Sequence, residues 1–386
     1  MASPGTVTGT KSVRSKKEQI ALCRASRNHC KGVIRRTTGH PFWIRRHRKL
    51  KLFRRIEPTI NPEFELGRYL TERHIASVPP LAGALEYDRP GLEPGTMAIV
   101  QQAVTHQGSG WQYSIDELRR YFERVAARGP GSTARVDAPE HWYLMSATTL
   151  GRRTAELHLA LAASSASTFR PEACDRTALN TLAARMTEHG EASLTMLAQR
   201  LSTLQDATRA RAEAILARRQ QMRARFDGVR ALDRAGMLIR VHGDYHLGQV
   251  LRTEADFVIL DFEGEPARSI AERRAKQSPM KDVAGMVRSY SYAAFAALFA
   301  FTTHAPDLDA SLQPWADAWQ RAAADAFLRG YRSAVGTAPI VPRGDAWRTL
   351  LCAFTLDKAL YELEYELNHR PDWLRIPLLG ISKLLT

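Results

Sequence analysis

The chain has 386 residues, 44% of them hydrophobic, and a net charge of +15; this is enough to bury a full core in two lobes. The charge is confined: residues 1–55 hold 16 Lys or Arg against one acid, Glu18, while the remaining residues hold 39 of each sign. Basicity in one terminal segment says nothing of the folded body, and no apolar run reaches the roughly 18 to 20 residues that span a bilayer, so neither nucleic acid nor membrane is expected as a partner.

Residues 1–48 show little alternation or helical periodicity and read as a basic leader, disordered or non-native; Gly5 to Val13 gives only a faint suggestion of a phosphate turn. Cysteines 23, 30, 174 and 352 lack metal spacing and no apolar signal core opens the chain, so they read as reduced thiols in a cytoplasmic protein. A first lobe is expected over 49–108. LKLFRRIEPTINPEFELGRYLTE reads as a strand end, a Pro-marked turn, and a helix capped by Asn61 with Pro62 at its first position. Where a strand Lys pairs with a Glu on the following helix, the pair steadies nucleotide phosphates; Lys51 fits the first role and Glu63 or Glu65 the second. Met97 to Val104 reads as a strand running into the Gly-rich HQGSGWQYS, where a hinge would place base contacts on Gln101, Gln102 or Val104.

The second lobe, 109–386, turns helical: Ile115 to Ala127, Trp142 to Ala163, then Thr177 to Arg225 with a break near Gln205. His158 has apolar neighbours at helical spacing and reads as a satisfied core residue. The stretch LIRVHGDYHLGQVLRTEADFVILDFEGEP carries the chemistry. Its first hydrophobic run delivers His242-Gly243-Asp244 and, five positions after the Asp, Gln249; its second, Phe257 to Leu260, delivers Asp261-Phe262-Glu263. A strand, a loop with an Asp and an amide five residues on, then a hairpin ending in Asp-Phe is the catalytic-loop layout of phosphoryl-transfer enzymes. Asp244 would accept a hydroxyl proton, while the Gln249 carbonyl oxygen and the Asp261 carboxylate are hard ligands for Mg²⁺, with Glu263 two residues on to support the metal.

Arg268 to Ser278 reads as a polar loop, and Lys281 opens a helix through Ala296 on which Asp282 is most simply a charge at the dipole. Further helices are expected over Trp315 to Tyr331 and Asp345 to Leu367. Near the end, LYELEYELNHRPDWLRIPLLGI gathers Tyr361, Glu362, Tyr365, Glu366, Asn368, Arg370 and Trp373; aromatic faces beside carboxylate, amide and guanidinium groups suit a sugar.

At these residues the chain resembles bacterial maltokinases, including those fused behind trehalose synthase, in the aminoglycoside-phosphotransferase-like branch of the kinase fold. The resemblance runs from about Leu50 to the end and rests on LKLFRRIEPTINPEFELGRYLTE, VPPLAGALEY, HGDYHLGQVL with ILDFEGEP, SPMKDVAGMVRSYSYAA and YELNHRPDWLRIPLLGI. It implies an α+β, two-lobed protein-kinase-like fold with a mainly helical C-lobe, and ATP- and Mg²⁺-dependent phosphorylation of maltose to maltose 1-phosphate for α-glucan synthesis. By position it makes Asp244 the base, Gln249 and Asp261 metal ligands, Lys51 the phosphate lysine, and Tyr361, Tyr365, Asn368, Arg370 and Trp373 sugar contacts; His246 and Glu362 join the acceptor set. The family carries an N-terminal subdomain and a phosphate-covering hairpin upstream of the lysine strand. About fifty unalignable residues stand there in this sequence, so the expectation is a truncated or aberrant N-lobe with weak nucleotide binding. Two alternatives remain: another small-molecule kinase of the same fold, and an impaired remnant that binds maltose or a trehalose synthase partner.

Overall fold

The computed structural model describes residues 41–43 (backbone only), 47–88, 91, 93–128, 141–303 and 305–385. Most of the 1–48 leader, including Gly5 to Val13, Cys23 and Cys30, lies outside the described residues. The described part divides into two compact units, one of residues 1–106 with 258–274, the other of 107–257 with 275–386. The first unit therefore takes back the end of the catalytic stretch, with Asp261 and Glu263, and its sheet begins before residue 49.

The first unit opens with β1 (Pro41–Trp43) and β2 (Arg48–Leu52), followed by α1 (Pro62–Glu72), β3 (Leu81–Tyr87) and β4 (Gly95–Gln102). The strands form an antiparallel sheet in the order β1-β2-β4-β3, with Lys49 opposite Gln101 and Lys51 opposite Ile99. Helix α1 starts where the Asn-Pro signal puts it: Asn61 Oδ1 accepts the Glu63 N–H at 2.8 Å and Pro62 takes a position whose N–H would have no partner. It buries Leu66, Tyr69 and Leu70, while the successive buried residues Ala98, Ile99 and Val100 show that β4 is covered on both faces. Strand β3 is not foreseen by the sequence reading; a register shift between Leu81 and Gly83 breaks its alternation.

In the second unit come α2 (Gly110–Ala126), α3 (His141–Leu161), β5 (Glu172–Ala173), α4 (Arg176–Arg200), α5 (Asp206–Leu216), α6 (Arg219–Arg230), β6 (Met237–Leu238) and β7 (Val250–Arg252). Strand β8 (Phe257–Ile259) leads back into the first unit, which ends with the short α7 (Ile270–Arg274), a helix inside what reads as a polar loop. The chain then completes the second unit with α8 (Met280–Thr302), α9 (Asp309–Val335), α10 (Gly344–His369) and α11 (Arg375–Leu384). Tyr121, Phe122, Tyr290, Trp319, Phe327 and Tyr331 are fully buried at the centre of this helical body, and each large side chain so buried contributes roughly 2–3 kcal/mol. Helices α3 and α9 approach backbone to backbone, because Gly151 meets the carbonyl of Phe327 and Gly330 that of Thr148. Any side chain at either glycine would force the pair apart. No helix among the described residues is long and apolar enough to cross a membrane.

Candidate active site

In the second unit, the HGD loop is a piece of non-repetitive backbone held by one face of α8. Asp282 Oδ2 accepts the N–H of His242 at 2.8 Å and Oδ1 that of Gly243 at 2.9 Å. One turn on, Gly285 lets α8 press against the loop, since a Cβ there would sit 2.6 Å from the Tyr245 carbonyl oxygen. One turn further, Ser289 Oγ accepts the Leu247 N–H at 3.0 Å. Asp282 is thus not the simple dipole charge of the sequence reading. It is fully buried, and His158 Nε2 lies 3.1 Å from it while His158 Nδ1 pairs with the Tyr331 hydroxyl at 2.8 Å. Burial opposes its ionisation, but the hydrogen bonds from His158 and the loop amides hold its carboxyl below the usual carboxylate range. Gly243 has φ 87°, a conformation that only glycine adopts without cost.

The loop aims Asp244 at α10. Its Oδ1 lies 3.0 Å from the Lys358 ammonium, which also sits 4.4 Å over the Tyr361 ring. Burial works against the charge on Asp244, yet Lys358, followed by His246 and His242, keeps its carboxyl down at about 2. Asp244 is therefore ionised at neutral pH. Lys358 is a partner of Asp244 that the sequence does not announce: it is 114 positions away, outside any local motif. His246 caps the turn at Leu247–Gln249, accepting the Gly248 N–H, with its Nε2 4.0 Å from Asp244. Gln249 closes that turn, its N–H donating to the His246 carbonyl.

The rest of the expected acceptor set divides. Glu362 pairs with buried Arg288 on α8. Tyr292, also on α8, stacks on Trp373 at 6.1 Å and 12°, lies 6.0 Å from Trp111, and donates its hydroxyl to Glu366 Oε1, which also accepts from Arg370. Glu366 Oε2 is buried with no hydrogen-bond partner among the described residues. Arg370 lies over the rings of Tyr365 and Trp373. Asn368 departs from the set: its amide donates back to the Glu364 carbonyl and touches Met196 on α4, so it serves the helix rather than the aromatic group. Glu364 itself joins Ser193, His189 and Asp357 in a clasp between α4 and α10.

In the first unit, Lys51 on β2 is surrounded by Glu63 of α1 at 2.5 Å, Asp261 at 2.6 Å and Glu263. Glu63 is the partner; Glu65, the other candidate, instead takes the Arg274 guanidinium, with Nη2 at 2.7 Å. Burial is the largest influence on both members of the pair. It acts against the Lys51 charge, yet the three carboxylates raise that lysine above its ordinary range. Glu63 is pushed up to about 7 by burial, with Asp261 and Glu263 adding to it against Lys51. Three carboxylate oxygens within 4.8 Å of one another and a single ammonium leave a surplus of negative charge. All are hard ligands of the type Mg²⁺ takes, so the residues present fit that ion. Asp261 has φ 66°, a left-handed backbone unusual for a non-glycine residue and of the kind that gathers at functional positions. Gln102 is exposed at the end of β4, where its N–H donates to the Pro80 carbonyl, and Val104 lies beyond the strand, half-buried.

No protein-family profile matches the chain. It is 27% identical over 296 residues to a glucosamine kinase of Streptacidiphilus jiangxiensis, covering 76% of this chain and 59% of that one. It is 34% identical over 173 residues to a glucosamine kinase of Mycolicibacterium smegmatis, covering 42% and 40%. The chain thus spans less than two thirds of the length of the curated relatives it matches. Among solved structures, a glucosamine kinase in complex with glucosamine, ADP and inorganic phosphate superposes with a TM-score of 0.72 at 24% identity, over 91% of this chain and 80% of that one. A second crystal form of glucosamine kinase gives 0.71 at 24% identity, over 96% and 84%. The fold is the α+β kinase-like one that the family resemblance implies, with a mainly helical second unit.

Proposed function

We propose that the protein transfers a phosphoryl group from ATP to a hydroxyl of a small sugar, and that the acceptor is an amino sugar of the glucosamine type. The observation that carries the reaction is Asp244: a mostly buried carboxylate, ionised by Lys358, on a loop whose amides are tied to Asp282. Such a group orients an acceptor hydroxyl and takes its proton as the bond to phosphorus forms. Lys51 and the carboxylates around it serve the donor phosphates, with Asp261 and Glu263 to hold Mg²⁺. When bound, Mg²⁺ neutralises charge on the phosphates.

The choice of acceptor is supported by the glucosamine kinases that the chain is similar to, and by the buried Glu366 oxygen, without a partner among the described residues, beside the Tyr292–Trp373 stack. An orphan carboxylate oxygen suits an ammonium group, which maltose lacks. The test is ADP release with glucosamine, glucose, maltose and trehalose. Turnover should be fastest with glucosamine and fall by at least about a thousandfold in Asp244→Asn; Glu366→Gln should raise KM for glucosamine more than for glucose. Preference for maltose would restore the acceptor that the sequence suggests, and sugar binding without turnover would leave a binding module.

A further inference from the structure

Strand β2 reads R-K-L-K-L, and alternation puts Lys49 and Lys51 on the same face of the sheet, about 7 Å apart along the strand. The two ammoniums live differently. That of Lys51 is enclosed by Glu63, Asp261 and Glu263. Lys49 is half-buried, and its ammonium makes no hydrogen bond or ion pair among the described residues. Burial and the neighbouring Lys51 both push its pKa down, while Glu63 and Asp261 act only at a distance. Opposite it on β4 stands Gln101, buried, with an amide as its polar group. A second cation placed beside the first, partly out of water and without a carboxylate, costs stability unless an anion arrives to share it.

Resting on the kinase reading above, we propose that Lys49 is a second phosphate-binding cation, so that the first unit recognises a polyphosphate chain by its charge. Two ammoniums on one strand face, next to carboxylates suited to a divalent ion, match the alternation of anionic phosphates and metal in a triphosphate. The same chemistry is carried by ATP and by inorganic tripolyphosphate, and both are ligands of this face.

The experiment is calorimetric titration of the full chain with Mg·ATP and with Mg·tripolyphosphate, for wild type, Lys49→Met and Lys49→Arg. Wild type should bind both. Lys49→Met should weaken both by about tenfold, the loss expected for one charge-assisted contact. Lys49→Arg should recover most of it, and glucosamine titrated into Lys49→Met should bind as in wild type. Equal affinity of wild type and Lys49→Met for Mg·ATP overturns the role of Lys49 and leaves the kinase reading standing. So does binding of ATP without tripolyphosphate. A wild type that binds neither ligand overturns the kinase reading and this inference with it.

Discussion

Asp244 and Lys358 form a pair whose two members do different work. The carboxylate must be ionised to accept a proton, and at its depth burial alone would favour the neutral acid; the ammonium 3.0 Å away reverses that preference. With its carboxyl at about 2 against an ordinary 3.8, Asp244 contributes stability that is fully present above the unfolded value and lost as pH falls through the folded one. Replacing Lys358 by Met removes the neighbour and leaves the burial, so the Asp244 pKa must rise. The acid limb of the kcat/KM profile should move to higher pH in Lys358→Met, while KM for ATP stays close to wild type. The variant's deficit in melting temperature should narrow as the pH falls through about 2, where Asp244 becomes half protonated even in wild type. An acid limb that does not move would show that Lys358 does not set the ionisation of Asp244.

Helix α8 does for the loop what no residue in the loop can do for itself. Asp282, Gly285 and Ser289 recur at i, i+3 and i+7, so one stripe of the helix meets the amides of His242 and Gly243, the carbonyl of Tyr245 and the amide of Leu247. Tyr292, at i+10, extends the same helix to Glu366 and Trp373. Asp282→Asn keeps one acceptor oxygen but turns an amide NH₂ toward a backbone N–H. It should cost about 3 kcal/mol of stability, from a buried donor left unpaired and a broken contact with His158. Because Asp282 touches the loop and not the substrate, kcat should fall by about tenfold to a hundredfold with KM for both substrates little changed. A variant with normal kcat and lowered stability would reduce Asp282 to a structural residue. The stripe was hidden from the sequence for a physical reason. Periodicity reports which face of a helix is apolar, and it places α8, α9 and α10; it cannot report which backbone lies against that face forty residues away. Local signals did better where they are self-contained: Asn61-Pro62 starts α1, and the break near Gln205 falls between α4 and α5.

On the scale of the whole molecule, the legible part is what short-range chemistry fixes and the illegible part is what the fold brings together. The kinase layout could be read because Asp244, Gln249 and Asp261 lie in one stretch at fixed spacing. The choice of Glu63 over Glu65, the contact of Asn368 with Met196, and the pairing of Lys358 with Asp244 depend on contacts between distant segments. β5 and β6, two residues each, are too short to leave a pattern. The carboxylate cluster around Lys51 has a consequence for the stability of the entire chain. Glu63 is pushed up to about 7 from 4.5, so between those values the folded protein holds a proton that the unfolded chain has released. Stability must therefore decline as pH rises across that window, the opposite of what an ordinary salt-bridged carboxylate does. A divalent cation on Asp261 and Glu263 would cancel the like charge that helps raise Glu63 and so release that proton. In chelator the melting temperature should fall as pH rises from 4.5 to about 7, and saturating Mg²⁺ with ATP should flatten the decline. At a hundredfold excess over Kd the complex should gain about 2.7 kcal/mol. Asp261→Asn removes one hard ligand and one like charge together, so it should weaken the response to Mg²⁺ and lower the Glu63 pKa, flattening the metal-free curve on its own. Calorimetric melts of both proteins, with and without Mg·ATP, read all of these changes; a metal-free wild type equally stable across the window would show that the cluster carries no surplus charge for an ion to relieve.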